Sequence, residues 1–117
     1  MSLRLSEVVI DCADHGAVVD FWAAALGYER QAINDQYVAI VPAAAELGRP
    51  PILFQLVPEP KVAKNRVHLD FRTEKMATEV ERLVELGAVP VAERTLGSAR
   101  WTVMADPAGN EFCVVGP

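Results

Sequence analysis

Histidine and cysteine, two residue types that often carry chemistry, are scarce in this chain, which has two of each. His68 is the polar member of a strand-like run, where it alternates with Val67 and Leu69. A histidine there can act as a metal ligand or general base if its ring is neutral and oriented. It can equally line a cavity while hydrogen-bonded to Asp70 or to a backbone carbonyl, and the sequence leaves both interpretations open.

The two cysteines, Cys12 and Cys113, are too few for a secreted disulfide scaffold, so we expect a reducing cytoplasm. Cys113 lies in a predicted strand with no neighbouring base in the sequence. This favours a small buried hydrophobic residue over a metal ligand or a nucleophile. Glu7, near the N-terminus, is interpreted as a solvated strand residue in preference to a ligand.

The elements that must position these residues occur twice along the chain. The first half predicts a strand at 7–12, a helix capped by Asp14 and ended by Gly27, and strands at about 28–33, 36–41 and 51–57. The second half predicts a strand at 66–72, a helix capped by Thr73 and ended by Gly87, and strands at about 88–94, 99–105 and 110–115. We therefore expect a single domain with module one at 1–57, a linker at 58–65 and module two at 66–117. The loop at 42–51 is the predicted mobile flap.

A four-stranded sheet that carries one helix leaves its other face bare. We therefore predict an α+β fold in which two βαβββ modules face each other as an incomplete β-barrel around a cavity. Strand alternation places Val67, Leu69 and Phe71 under the helix of the second module and points His68, Asp70 and Arg72 toward the cavity. The same alternation predicts a cavity floor with one residue from each of four strands: Glu7, Gln55, His68 and Cys113. Asp70, Trp101 and Glu111 are further predicted substrate contacts.

Composition limits the possible partners. The chain has 117 residues, a mass of 12.7 kDa and a net charge of -5, and residues 1–60 carry all of that excess negative charge. The absence of a basic stripe argues against nucleic acid as a partner. No apolar run approaches the roughly 20 residues that span a bilayer, which argues against a membrane. The acidic first half favours cationic ligands over anionic ones, but the preferred interpretation is that the acidity merely keeps a cytosolic protein soluble.

Three segments carry a family resemblance: DHGAVVDFWAAALGYE (14–29), NRVHLDF (65–71) and DPAGNEFCVV (106–115). They resemble the vicinal-oxygen-chelate superfamily of glyoxalases, bleomycin-resistance proteins and extradiol dioxygenases, over essentially the whole chain. The sequences of these three segments are most similar to the small glyoxalase-like subgroup. The resemblance implies the two-module fold, a small-molecule ligand and a homodimer.

The resemblance also implies a divalent metal site with one ligand from the first and last strands of each module. By spacing, these positions are Glu7, Gln55, His68 and Cys113. Glyoxalase sites are rich in His and Glu, whereas glutamine is a poor ligand and cysteine biases a site toward zinc or copper. Two functions follow: a metal-free protein that binds a small amphipathic or cationic compound without full glyoxalase I or dioxygenase activity, or a metal-dependent lyase or isomerase acting on vicinal oxygens.

Overall fold

The computed structural model describes residues 2–44 and 48–117, and the chain divides into a first unit, 1–60, and a second unit, 61–117. Within these described residues each unit has one α-helix and one four-stranded mixed sheet, so the predicted α+β class and the element order of both modules are confirmed. The first unit contains β1 (Val8–Cys12), α1 (Gly16–Leu26), β2 (Glu29–Ala32), β3 (Tyr37–Val41) and β4 (Ile52–Leu56). The second contains β5 (Asp70–Arg72), α2 (Met76–Leu86), β6 (Val89–Leu96), β7 (Ala99–Ala105) and β8 (Glu111–Gly116).

The first sheet has the order β1-β4-β3-β2, with β1 parallel to β4 and the other pairs antiparallel. Its helix packs on β3 and β2 and buries Phe21 and Trp22, whose rings meet edge to face at 5.0 Å. Ile40 and Phe54 are fully buried, which places the core of this unit on the helix side of the sheet. Gly27 ends α1 at φ 68°, a left-handed conformation that glycine adopts without a steric penalty.

The second sheet repeats this topology with the order β5-β8-β7-β6. Its helix packs on β8 and β6. The approach to β8 is close, because a Cβ added at Gly116 would lie 2.7 Å from the Cβ of Met76. Phe71 and Phe112 meet edge to face at 6.0 Å on this side of the sheet. Neither sheet closes on itself, and the enclosing barrel stays a prediction.

Both helices begin later than the predicted caps, Asp14 and Thr73. The N-cap positions are His15 and Lys75, and neither side chain makes a capping hydrogen bond. Asp14 Oδ1 instead accepts from the Gly16 N–H at 3.0 Å, and Thr73 Oγ1 accepts from the Lys75 N–H at 3.1 Å. The two predicted caps thus form turns that lead into the helices.

The predicted strand at 66–72 is too long, because only Asp70–Arg72 are in the ladder with β8. Val67 is 78% exposed and does not pack under α2 as predicted, whereas Phe71 does reach the core side. The predicted flap at 42–51 includes residues 45–47, which lie outside the described residues. Within the described ranges, no helix is long and apolar enough to cross a membrane.

Candidate functional site

The second sheet has two chemically distinct faces because successive side chains in a strand point to opposite sides. Phe112 and Val114 of β8 are buried on the side of α2. Cys113 and Val115 therefore point to the other face. In the register of the sheet, Asp70 lies beside Cys113.

This second face carries a pocket of about 440 Å³. The pocket is lined by His68, Asp70, Arg72, Ala99, Trp101, Cys113 and Val115. Four of these residues were predicted site residues, and all seven belong to the second unit. The pocket therefore brings together His68, Asp70, Trp101 and Cys113, whereas Glu111 of the same module is not among its lining residues.

Three of the lining residues form a cluster of possible metal donors. One side-chain donor atom from each of His68, Asp70 and Cys113 lies within 4.8 Å of the other two. The His68 Nε2 and Asp70 Oδ1 atoms are 3.2 Å apart, so the carboxylate orients the imidazole ring. His68 and Asp70 are about half exposed, whereas Cys113 is buried.

The environment of Cys113 keeps its side chain protonated. Burial raises the pKa of the thiol, and the neighbouring Asp70 carboxylate raises it further, against a smaller opposing effect from Lys64. The thiol is therefore not an activated nucleophile in this arrangement. A bound cation would replace the thiol proton and reverse this balance.

The donor set fits a thiolate-accepting divalent metal such as zinc, because it offers one imidazole nitrogen, one carboxylate oxygen and one sulfur. His68, Asp70 and Cys113 would hold the ion, and three protein ligands leave a position for another molecule. Such an ion acts as a Lewis acid toward a coordinated oxygen. The structure thus brings the predicted ligands His68 and Cys113 together with Asp70, which the sequence assigned to substrate binding, and their role in holding a metal stays a prediction.

The other end of the pocket is cationic and aromatic. Arg72 and Trp101 both lie next to Val115 in the register, on opposite sides of β8. Arg72 is exposed and Trp101 is half-buried. The sequence pointed Arg72 toward the cavity but favoured an ordinary exposed strand arginine. Ala99 was missed, although it lies two residues before Trp101 and so shares its face.

Glu111, a predicted substrate contact, links the start of β8 to the segment before β5. Its carboxylate accepts from the Asn65 backbone N–H at 3.0 Å and forms an ion pair with Lys61 at 3.2 Å. Its backbone carbonyl accepts from the Asn65 side chain at 3.1 Å. The Asn65 N–H, with a further contribution from Lys61, holds the pKa of Glu111 below its usual range, although partial burial opposes the shift.

The two remaining predicted ligands, Glu7 and Gln55, lie in the first unit. Glu7 is exposed and immediately precedes β1. Gln55 is half-buried and lies between Asp11 and Tyr37 in the register of the first sheet. Their part in a metal or ligand site stays a prediction.

Comparisons with known proteins agree with this architecture. A family model described as a glyoxalase-like domain matches residues 7–115. No curated protein has a sequence that matches the chain.

Solved structures with low sequence identity share the fold. The fosfomycin resistance protein FosX from Listeria monocytogenes, solved with Mn(II) and 1S,2S-dihydroxypropylphosphonic acid, is 18% identical with a TM-score of 0.79, covering 100% of this chain and 93% of that one. A glyoxalase/bleomycin resistance protein/dioxygenase family enzyme from Burkholderia phytofirmans is 18% identical with a TM-score of 0.77, covering 97% and 98%. The bleomycin-binding protein from Streptomyces verticillus, solved with copper(II)-bleomycin, is 17% identical with a TM-score of 0.67, covering 100% and 99%. Because the family model matches nearly its whole length, the chain belongs to the glyoxalase-like domain family, and its fold is the one seen in structures of the glyoxalase/bleomycin resistance protein/dioxygenase superfamily.

Proposed function

We propose that this protein binds a small molecule in the pocket on the second sheet, without full glyoxalase I or dioxygenase activity. The observation that carries the proposal is the pocket of about 440 Å³ lined by polar, cationic and aromatic side chains. A concave site with a few convergent polar groups is the usual form of a small-molecule site. Two of the fold's neighbours were solved with small ligands, which supports the same conclusion.

The low expected activity rests on the chemistry of the donors. Glyoxalase-type sites use a glutamate as a proton-shuttling base, whereas this pocket holds the Cys113 thiol, whose pKa is raised by burial. Asp70, the carboxylate in the pocket, is already paired with His68. A binding role needs neither group to transfer a proton.

The test is a titration of isotope-labelled protein with a library of small polar fragments, followed by backbone amide NMR. Binding should shift the amides of Arg72, Trp101 and Cys113. Ala99→Trp places a bulky side chain in the pocket and should weaken binding by about tenfold or more. The matched control is Arg100→Trp, which adds the same side chain at the next residue of β7 and therefore on the other face. Binding that is unaffected by Ala99→Trp would contradict the proposal.

The second candidate function is a metal-dependent lyase or isomerase, and it is favoured by the His68, Asp70 and Cys113 cluster. The chelator-treated protein titrated with Co(II) should develop a sulfur-to-metal charge-transfer band in the near ultraviolet, and Zn(II) should raise its Tm. Cys113→Ser should abolish the band, and the control Cys12→Ser should keep it. Absence of both the band and the thermal shift would exclude this candidate.

We also propose that the protein is a homodimer in the cytoplasm. The edge strand β6 supports a dimer, because Val89, Val91 and Leu96 are each more than half exposed. Light scattering at micromolar concentration should report twice the chain mass of 12.7 kDa. A single-chain mass would contradict the dimer.

A further inference from the structure

The two ends of the pocket differ in charge. Asp70, paired with His68, makes one end unfavourable for an anion. At the other end, the guanidinium of Arg72 makes no ion pair or hydrogen bond with residues 2–44 and 48–117. A guanidinium is permanently charged. When it borders a pocket and is not paired with a carboxylate of the protein, it is suited to bind an anionic ligand.

Trp101 gives this end an aromatic wall. The indole is half-buried and makes no ring contact or hydrogen bond with the described residues. Its N–H and its ring face are therefore both available to a molecule in the pocket. This distinguishes it from Trp22, which is 2% exposed and packs on Phe21 in the first unit.

The register of the sheet fixes the spacing of the two ends. Arg72, Val115 and Trp101 lie side by side across three strands, and Asp70 and Cys113 occupy the neighbouring row. Adjacent rows on one face of a sheet are separated by two residues, or about 6 to 7 Å. A flat molecule of one aromatic ring can span that distance.

We infer that the ligand is a flat, singly anionic compound, with a carboxylate or similar anion at Arg72, a ring against Trp101 and a neutral hydroxyl or carbonyl directed to His68 and Cys113. This inference rests on the proposed binding function and adds the chemical class of the ligand. It reverses the preference for cations that the acidic first half suggested. Residues 61–117 carry equal numbers of acidic and basic residues, so local charge at the pocket decides the preference.

The experiment compares two probes of equal shape by calorimetry at constant ionic strength. The first is 4-hydroxybenzoate, which holds its hydroxyl and carboxylate about one row apart, and the second is the neutral 4-hydroxybenzamide. The wild-type protein should bind the carboxylate about five- to tenfold more tightly, as expected for a partly exposed charge-assisted hydrogen bond. Arg72→Gln should reduce this ratio to about one while leaving the Kd of the amide within about twofold.

Arg100→Gln is the matched control, because Arg100 is an exposed arginine one residue from Trp101 on the opposite face of β7. It should leave the ratio unchanged. Trp101→Leu should weaken both probes by about fivefold or more, because it removes the ring contact that they share. These results together would support the assignment.

Three outcomes would overturn the inference. Equal binding of both probes would show that Arg72 does not recognise the anion, while the small-molecule pocket would stand. An equal loss in Arg72→Gln and Arg100→Gln would show a general effect of net charge. Failure of both probes to bind would reject this ligand class, and the fragment titration with Ala99→Trp would then decide separately whether the pocket binds small molecules.

Discussion

The two units share a topology but differ in the chemistry of the sheet face opposite the helix. Counting from the glycine that ends each helix, Glu29 pairs with Val41 in the first unit and Val89 pairs with Ala105 in the second. Following the ladders inward from these pairs makes Leu53 the counterpart of Cys113. One more step across each sheet reaches the counterpart of Asp70, which is Val9.

The row that carries two metal donors in the second unit is therefore aliphatic in the first. The next row is polar in the first unit, where it holds Asp11, Gln55 and Tyr37. The equivalent row of the second unit holds Arg72, Val115 and Trp101. Gln55, the predicted ligand, thus lies one row beyond the counterpart of Cys113. The two units therefore offer equivalent backbone positions, and the side chains of one row give the second unit its cluster of possible metal donors.

The largest effect is expected from a substitution in the turn that precedes β8, the strand that contains Cys113. Asp106 is 3% exposed, and its carboxylate accepts from the Ala108 and Asn110 N–H groups at 2.9 Å each. Asp106→Ala leaves these donors unpaired in a buried place and should lower the free energy of unfolding by about 2 to 4 kcal/mol. Urea denaturation monitored by circular dichroism measures this change.

The matched control is the exposed turn of the first unit, where Asn34 Oδ1 accepts from the Gln36 and Tyr37 N–H groups at 2.9 Å each. Asn34→Ala should cost only about 1 kcal/mol because water can replace the lost acceptor. Equal losses from the two substitutions would contradict the claim that burial makes the second turn the more demanding one.

A smaller effect is expected at Glu111, which fastens the segment before β5 to the start of β8. Glu111→Gln removes the ion pair with Lys61 and weakens the contact with Asn65. It should lower the free energy of unfolding by about 1 kcal/mol at neutral pH. Because His68 follows this segment, its imidazole NMR signals should broaden or shift in the variant.

The sign of the pH dependence follows from the lowered pKa of Glu111. Its stabilising contribution is complete above the ordinary carboxyl pKa of the unfolded chain and is lost as the pH falls through the lower value of the folded state. The stability difference between wild type and Glu111→Gln should therefore disappear in acid. Glu93→Gln, at an exposed position on β6, is the control and should leave stability unchanged. A difference that persists in acid would contradict this origin.

Much of the fold could be predicted from the sequence because its signals are local. Helical spacing ended by Gly27 and by Gly87 located both helices, and strand alternation placed His68 and Cys113 on one face. The true start of β5 could not be predicted. RVHLDFR alternates over its whole length, but the pairing with β8 begins at Asp70 and leaves Val67 exposed.

The site was predicted in part for the same reason. Residue type marked Glu111 as a substrate contact, but its partners Asn65 and Lys61 are about 50 residues away in sequence, and no local pattern indicates that pairing. The sequence favoured an ordinary surface role for Arg72 because exposed strand arginines are common, and the row that it shares with Val115 and Trp101 spans three strands. Such contacts depend on register, which single-strand alternation does not define.

The smallest expected effect compares the two cysteines, since both are buried and Cys113 lines the pocket on the second sheet. Cys12 lies on the helix side of the first sheet, and its thiol approaches the Gln55 carbonyl at 3.7 Å. In chelator-treated protein, iodoacetamide should therefore alkylate Cys113 before Cys12. Mass spectrometry of peptides after timed quenching measures both rates.

The pH dependence of that rate separates access from charge. Because burial and Asp70 raise the pKa of Cys113, its alkylation rate should still be rising with pH where an ordinary thiol has reached its plateau. Asp70→Asn removes a negative charge beside the sulfur, so it should lower this pKa and speed alkylation a few-fold at fixed mildly alkaline pH. Cys12 serves as the internal control, because it is in the other unit and should react at an unchanged rate. If Asp70→Asn speeds both cysteines equally, the substitution has loosened the fold, and the contrast between the two thiols does not arise from the Asp70 carboxylate.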